Sequence, residues 1–260
     1  MTRSDFQARL AVEWGLWLLA VQFLTRIPVP RDVPFSDDLL IRATKYYPLV
    51  GVLVGGIGGL VLWGASLALS PAAAVLLSVA TTLLLTGAFH EDGLADAADG
   101  LGGGLTRERS LEIMRDSRIG TYGAVTLGVT LALKVALLAS LEGATAGWVL
   151  VAGHALGRMA AVHVIATTPY ARDRGAKFVA PTVTPDGYRV ALATALMVLL
   201  GLVMVAGPGL ALLAAVLCVL LAQAFRWIFV RKLGGYTGDC LGGTQQLGEL
   251  GIYLAAALWL

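Results

Sequence analysis

Charge is scarce in this chain of 260 residues: Asp, Glu, Lys and Arg together make up 14% of it, against about 25% in an ordinary soluble domain. With a mean hydropathy of +0.78, that shortage excludes a disordered chain and a typical water-soluble enzyme. The net charge of +2 is too small to suggest nucleic-acid binding. Cysteine is nearly absent. Cys218 sits in an apolar run and Cys240 in a polar stretch, so there is neither a disulfide framework nor metal-ligand spacing. There is no low-complexity segment and no convincing internal repeat. The first residues, MTRSDFQARL, show no signal-peptide cleavage pattern, and the apolar stretch after them contains Glu13 and Gln22.

What is abundant is hydrophobic side chain, at 57%, together with 32 glycines that would let membrane helices approach closely. The composition predicts an all-α, polytopic membrane helix bundle forming a single integral domain over 1–260. A span needs about 20 apolar residues. Six runs qualify, at about 47–69, 72–89, 121–141, 148–168, 188–206 and 209–230. Two shorter stretches, 11–25 and 251–260, are expected to be interfacial or re-entrant helices, because 15 helical residues reach only about 22 Å. Gly51, Gly55 and Gly59 stand at small-xxx-small spacing, expected to be a helix interface inside the bundle rather than a homodimer seam.

The turns between alternate spans (Ser70-Pro71, 142–147 and Gly207-Pro208) contain no Lys or Arg, whereas the opposite side carries thirteen, from Arg26 to Lys232. By the positive-inside rule the long loops, near 90–120, 170–187 and 231–249, face the cytoplasm of a bacterial inner membrane. Function is expected on that face.

Seven of the 17 acidic residues fall between Glu91 and Asp116. Within FHEDGLADAADG, Asp92, Asp96 and Asp99 stand at i, i+4 and i+7, on one face of a helix. Stacked carboxylates repel, and surrounding Gly, Ala and Leu argue against a solvated face. A hard divalent cation, most naturally Mg²⁺ with substrate phosphate, would offset the repulsion. A solvated helix end and a cation-transport path remain as alternatives. The Gly-rich piece at 100–104 lacks the Lys-Ser/Thr of a phosphate loop and is expected to be a turn that folds the next segment back over the acids. There Arg115 and Arg118 bracket Asp116 and suit bidentate phosphate recognition.

Lys134, His154 and Arg158 lie inside spans, where ionisable groups are costly. Gripping a diphosphate or neutralising the acids would account for Lys134 and Arg158; structural pairing within the bundle is the alternative. His163 is expected to be packed and hydrogen-bonded, while His90 adjoins the acids and is a candidate substrate donor. Arg172, in the charged stretch YARDRGAK, is a candidate phosphate clamp or anionic-lipid contact. Asp239 is expected in a Gly-rich turn, where an isolated acid is usually a cap.

FLTRIPVP (23–30), FHEDGLADAADG (89–100), EIMRDSRIGTYG (112–123), YARDRG (170–175) and GGYTGDCLGG (234–243) occur in an order that resembles the cobalamin synthase family, adenosylcobinamide-GDP ribazoletransferase. Glu91 fills a free position of the acidic motif, and Gly243 and Gln246 depart from the family pattern. The resemblance implies attack of a hydroxyl of α-ribazole, or of ribazole phosphate, on the cobinamide-side phosphate of adenosylcobinamide-GDP, with release of GMP. Under it, Asp92 and Asp96 become expected Mg²⁺ ligands and Asp99 a ligand or general base, with Asp96 also catalytic. His90, Arg115, Asp116, Arg118, Lys134, Arg158, Arg172 and Asp239 become expected substrate contacts. An intramembrane Mg²⁺-dependent prenyltransferase and a cation-coupled transporter are the rival readings, and homo-oligomerisation is left open.

Overall fold

The computed structural model of the chain describes residues 3–141, 143–172 and 182–260. All regular structure among them is helical. The helices are α1 (Arg3–Leu24), α2 (Asp37–Ala43), α3 (Tyr47–Ser66), α4 (Pro71–Thr86), α5 (Phe89–Gly103), α6 (Arg107–Ile113), α7 (Thr121–Ala139), α8 (Gly143–Thr167), α9 (Pro185–Leu233) and α10 (Gly238–Trp259). Four of the described segments are long and apolar enough to cross a membrane, and α4 with α5 would make a fifth as one bent span. The chain is a polytopic helical membrane protein.

Helix α9 is a hairpin and supplies two crossings. Gly207 adopts φ 83°, a conformation that favours glycine, and Pro208 follows it. On one arm Tyr188 meets His163 and Gly201 meets Trp148; on the other Phe225 meets Gly243 and Gly209 meets Trp259. Because α8 and α10 run antiparallel, with Gly153 against Tyr253 and Gly157 against Gln245, the two arms run in opposite directions. With its two arms counted separately, α9 joins α3, α7 and α8 to give five of the six expected spans; α4, 16 residues long, makes the sixth only as a bent pair with α5.

The bundle is built around α8 and α10. Helix α3 packs along α8, and α10 packs on α5, α7, α8 and α9. The glycines of α3 set its distance from α8: a Cβ on Gly55 would lie 2.7 Å from the Leu150 carbonyl, and one on Gly51 would overlap the His154 backbone. Side chains toward lipid stay apolar, as Trp63, Leu84, Met204 and Leu212 illustrate.

Two expectations about element boundaries change. Residues 72–89 do not run on into the acidic segment. Gly87 (φ 65°) and Ala88 (φ 55°) are both left-handed, and α5 leaves α4 at 87°. The Arg26 backbone N–H, bonded to the Leu85 carbonyl at 2.6 Å, and the Arg26 side chain against Gly87 support this corner. The Gly-rich stretch near 238–249 is a helix, not a turn, and extends the short closing helix to 22 residues. Its glycines are spent on close approach, to Gly93 at Gly242, to Phe225 at Gly243 and to Gly157 at Gly248. Helix α1 is likewise 22 residues long, and Leu16, Leu19, Ala20, Val21 and Leu24 bury its second half in the core.

Candidate functional site

Helix α5 carries the acids at the spacing read from sequence. Asp92 is exposed, Asp96 half-buried and Asp99 buried. Gly93 lets α5 touch the start of α10, where a Cβ would come 3.2 Å from the Asp239 carbonyl and the Gly242 Cα. That contact brings Asp239, in the first turn of α10, beside the α5 acids. The charges of Asp92, Asp239 and Asp99 all act on Asp96, and that of Arg172 opposes them.

Arg172 is aimed by backbone. The Tyr236 N–H donates to the Pro169 carbonyl at 2.9 Å, and the Ala171 N–H to the Tyr236 carbonyl at 2.8 Å. This short bridge ties the chain after α8 to the turn before α10. Arg172 Nη2 then donates to Asp239 Oδ2 at 2.9 Å, as does the Thr237 hydroxyl at 3.1 Å. Burial pushes the Asp239 carboxyl up from its usual range, while the Arg172 charge holds it down. Asp92, Asp239 and Arg172 line a cavity of about 270 Å³ together with the rings of Phe23, Tyr47, Phe89 and Tyr170 and the aliphatic side chains of Leu40 and Ile41. Beyond Arg172, the candidate clamp residues Arg174 and Lys177 lie outside the described residues.

Asp99 is placed differently from its neighbours. Its Oδ2 accepts the Gly120 N–H at 2.7 Å and its Oδ1 the Gly123 N–H at 2.9 Å. The carboxylate caps the start of α7, whose own cap residue, Gly120, has no side chain to do so. A Cβ on Gly120 would lie 2.5 Å from Asp99 Oδ1. The cap fastens α7 to α5, and because each oxygen accepts a single N–H it leaves a lone pair on each for a metal ion or a proton. Among the described residues, no three His, Cys, Asp or Glu side chains are grouped to hold a metal ion.

The segment after α5 does fold back, with Gly100 and Gly104 against Ser110 of α6. Arg107 fixes it by donating to the Leu233 and Ala171 carbonyls. Arg118, however, is spent on Asp116. Its Nε and Nη2 donate to the two carboxylate oxygens, Nη2 at 2.6 Å, on an exposed surface. The Arg118 hydrogen bonds pull the Asp116 carboxyl down to about 2. Both line a second, shallower cavity of about 310 Å³ with Asp99, Arg109 and Tyr122. Arg115 is exposed, and its charge reaches Tyr170 on the aromatic cavity.

Lys134 and Arg158 lie apart from these surfaces, buried in the bundle at 3% and 2% exposure. Lys134 Nζ is 2.8 Å from Glu249 Oε1 and 3.7 Å from Glu91 Oε1. Glu249 also accepts from the Tyr253 hydroxyl at 2.8 Å and from Gln245 at 2.7 Å, with His154 Nδ1 at 3.4 Å. Gln246 donates to Glu91 at 2.8 Å and to Gln245 at 2.7 Å. Arg158 Nη1 donates to the His154 carbonyl at 2.9 Å. His90, also buried, packs edge-on to Phe89 within the field of Arg158, Glu249 and Lys134. Two carboxylates and two cations thus balance in charge, Lys134 by direct pairing and Arg158 through the field of Glu249 and Glu91. Arg158 Nε and Nη2 and Glu91 Oε2 find no hydrogen-bond partner among the described residues. Structural pairing is what this geometry displays for Lys134. His163 is bonded to Tyr188 at 2.9 Å, as expected of a packed histidine.

Sequence reasoning missed Glu91, Gln245, Gln246 and Glu249. The signal was available in principle: two cations within spans require two buried anions. Nothing local, however, selected these acids over the others.

The cobalamin-5-phosphate synthase family model matches residues 16–257. Proteins named adenosylcobinamide-GDP ribazoletransferase are similar over nearly the whole chain. That of Ralstonia nicotianae is 48% identical, over 94% of this chain and 95% of its own length. That of Leptothrix cholodnii is 43% identical over 97% and 99%, and that of Vibrio parahaemolyticus 41% over 97% and 96%. No solved structure matches the chain.

Proposed function

Because the chain belongs to the cobalamin-5-phosphate synthase family, we propose that it joins α-ribazole to the cobinamide phosphate of adenosylcobinamide-GDP. The observation that carries the reading is the meeting of Asp92 and Asp96 with Asp239 and Arg172 at one end of the bundle. That end carries nearly all the Lys and Arg of the loops, which supports the reading that it faces the cytoplasm, where nucleotide substrates are found.

The fit to Mg²⁺ rests on oxygen chemistry. Among the described residues no hydrogen bond or ion pair engages the Asp92 or Asp96 carboxylates, one exposed and one half-buried, so hard oxygen donors stand together with mutual repulsion to relieve. Mg²⁺ takes one or two carboxylates and completes its shell with water and substrate phosphate, so a third protein ligand is not needed. When bound by Asp92 and Asp96, the ion supplies charge neutralisation to the diphosphate.

The protein's own groups account for the rest. Arg115, on the exposed rim, holds phosphate oxygens of the departing GMP. Arg172, fixed by Asp239, orients the cobinamide-side phosphate. Asp96 takes the proton from the ribazole hydroxyl as its oxygen bonds to phosphorus. The phosphorus–oxygen bond to GMP breaks, GMP carries away the electron pair, and a phosphodiester remains. Charge development is met by groups already in place, which is the main catalytic device for phosphoryl transfer.

The test is direct. Purified protein in liposomes, given adenosylcobinamide-GDP, α-ribazole and Mg²⁺, is expected to release GMP and form adenosylcobalamin in equal amounts. Absence of GMP under conditions where one of the relatives works would overturn the reading.

A further inference from the structure

The cavity beside the acids has a mixed lining. Asp92, Asp239 and Arg172 supply its charged groups, and four rings come from four separate segments, with Tyr170 in the field of Arg172 and Asp239. Phe23 comes from the end of α1, Tyr47 from the start of α3, Phe89 from the start of α5, and Tyr170 from the chain after α8. Phe23 lies parallel to Tyr47, 5.9 Å apart and 12° from coplanar, and edge-on to Phe89 at 5.6 Å and 72°. Phe23 and Phe89 remain 38% and 47% exposed. Bundle packing does not use these two rings fully.

Size and polarity decide what fits. A volume of about 270 Å³ admits one flat bicyclic base with its sugar and excludes a corrin macrocycle. Apolar walls with a few polar groups are what orient a small amphipathic ligand, and parallel or edge-on rings favour an aromatic one. A lipid chain would gain nothing from the charged groups Asp92, Asp239 and Arg172.

Resting on the transferase reading, we propose that this cavity is the acceptor subsite. The uncharged benzimidazole-type nucleoside inserts its base among Phe23, Tyr47, Phe89 and Tyr170 and points its ribose hydroxyl at the acids. The corrinoid substrate stays outside and reaches the same acids only with its diphosphate. The arrangement also sets an order on the chemistry: the attacking oxygen comes from inside the cavity and the leaving GMP departs on the side of Arg115.

Steady-state kinetics in proteoliposomes separates the two substrates. Phe89→Ala and Phe23→Leu are each expected to raise the KM for α-ribazole about tenfold, a loss typical of one aromatic contact, and to leave the KM for adenosylcobinamide-GDP within about twofold. Phe89→Trp is expected to restore the acceptor KM. Leu40→Trp, which narrows the cavity without removing a ring, is expected to act in the same direction and serves if Phe89→Ala does not fold. Binding of α-ribazole without the corrinoid, followed by the intrinsic fluorescence of its base, is expected to weaken in parallel. Equal changes in both KM values, or unchanged ribazole binding in folded variants, overturn the subsite. A wild-type protein that releases no GMP overturns the transferase reading itself; an active wild type with unshifted variants overturns only the subsite.

Discussion

Glu91 and Asp92 are adjacent on one helix and belong to different worlds. Glu91 points into the bundle, where Lys134 and Gln246 meet it. Asp92 points out into a cavity with Asp239 and Arg172. The interior set is balanced, two carboxylates against two cations, and its members are buried to within a few per cent. The outer set is unbalanced, with three carboxylates, Asp92, Asp96 and Asp239, facing one arginine. Pairing at the interior fixes α5, α7, α8 and α10 against one another. Imbalance at the surface leaves charge to be satisfied by something that comes and goes. A helix with a period of 3.6 residues can present both faces at once, so neighbours in sequence divide the labour.

The sharpest way to break this comparison is to neutralise one member of each set. Asp96→Asn is expected to lower turnover by about 10³-fold, the scale of losing a general base, with thermal unfolding in detergent unchanged. Asp92→Asn is expected to raise the Mg²⁺ concentration needed for half-maximal GMP release. Lys134→Met should do the reverse: it leaves two buried carboxylates, Glu91 and Glu249, against the single cation Arg158 and is expected to cost about 3–5 kcal/mol of stability. The double variant Lys134→Met/Glu249→Gln is expected to recover a large part of that loss in the same unfolding measurement. Additive losses would mean that the two residues do not form one network.

Five crossings were legible because length and hydropathy alone determine whether a helix can span, while α4 at 16 residues needs α5 to do so. The corner between α4 and α5 was not legible, since Ala88 at φ 55° carries no signature in sequence. In sequence the start of α10 has the composition of a turn, because glycine disfavours helices by about 1 kcal/mol in water. Inside a bundle the same residues allow Gly93 and Gly242 to touch. The acids of the outer site could be read from spacing on one helix, whereas the bond from Arg172 to Asp239 depends on a backbone bridge at Tyr170 and Tyr236. The partners of Lys134 were invisible for the same reason: they come from α5 and α10, and only tertiary packing selects them.

Asp99 lies on the acidic face by spacing and with the structural set by bonding, so it sharpens the boundary. If it caps α7, Asp99→Asn keeps one accepting oxygen and loses the other bond. The expected cost is about 1–3 kcal/mol of stability, with a partial fall in turnover and an unchanged Mg²⁺ requirement. A shifted Mg²⁺ requirement would return Asp99 to the outer set.

The smallest effect is expected at Arg118. Its bonds to Asp116 are on the surface, where water and salt compete for both groups, so the pair is a poor anchor despite good geometry. The Asp116 carboxyl, held down to about 2, stays ionised at any assay pH near neutrality, and the pair would loosen only as pH falls through that value. Arg118→Gln is therefore expected to leave unfolding unchanged and GMP release within about twofold at physiological salt. Arg115→Gln, by contrast, removes an exposed guanidinium that pairs with no carboxylate among the described residues, and is expected to raise the KM for adenosylcobinamide-GDP about tenfold. Equal effects at the two arginines would mean that engagement by Asp116 does not withhold Arg118 from substrate, and that a paired charge on this surface is as available as an unpaired one.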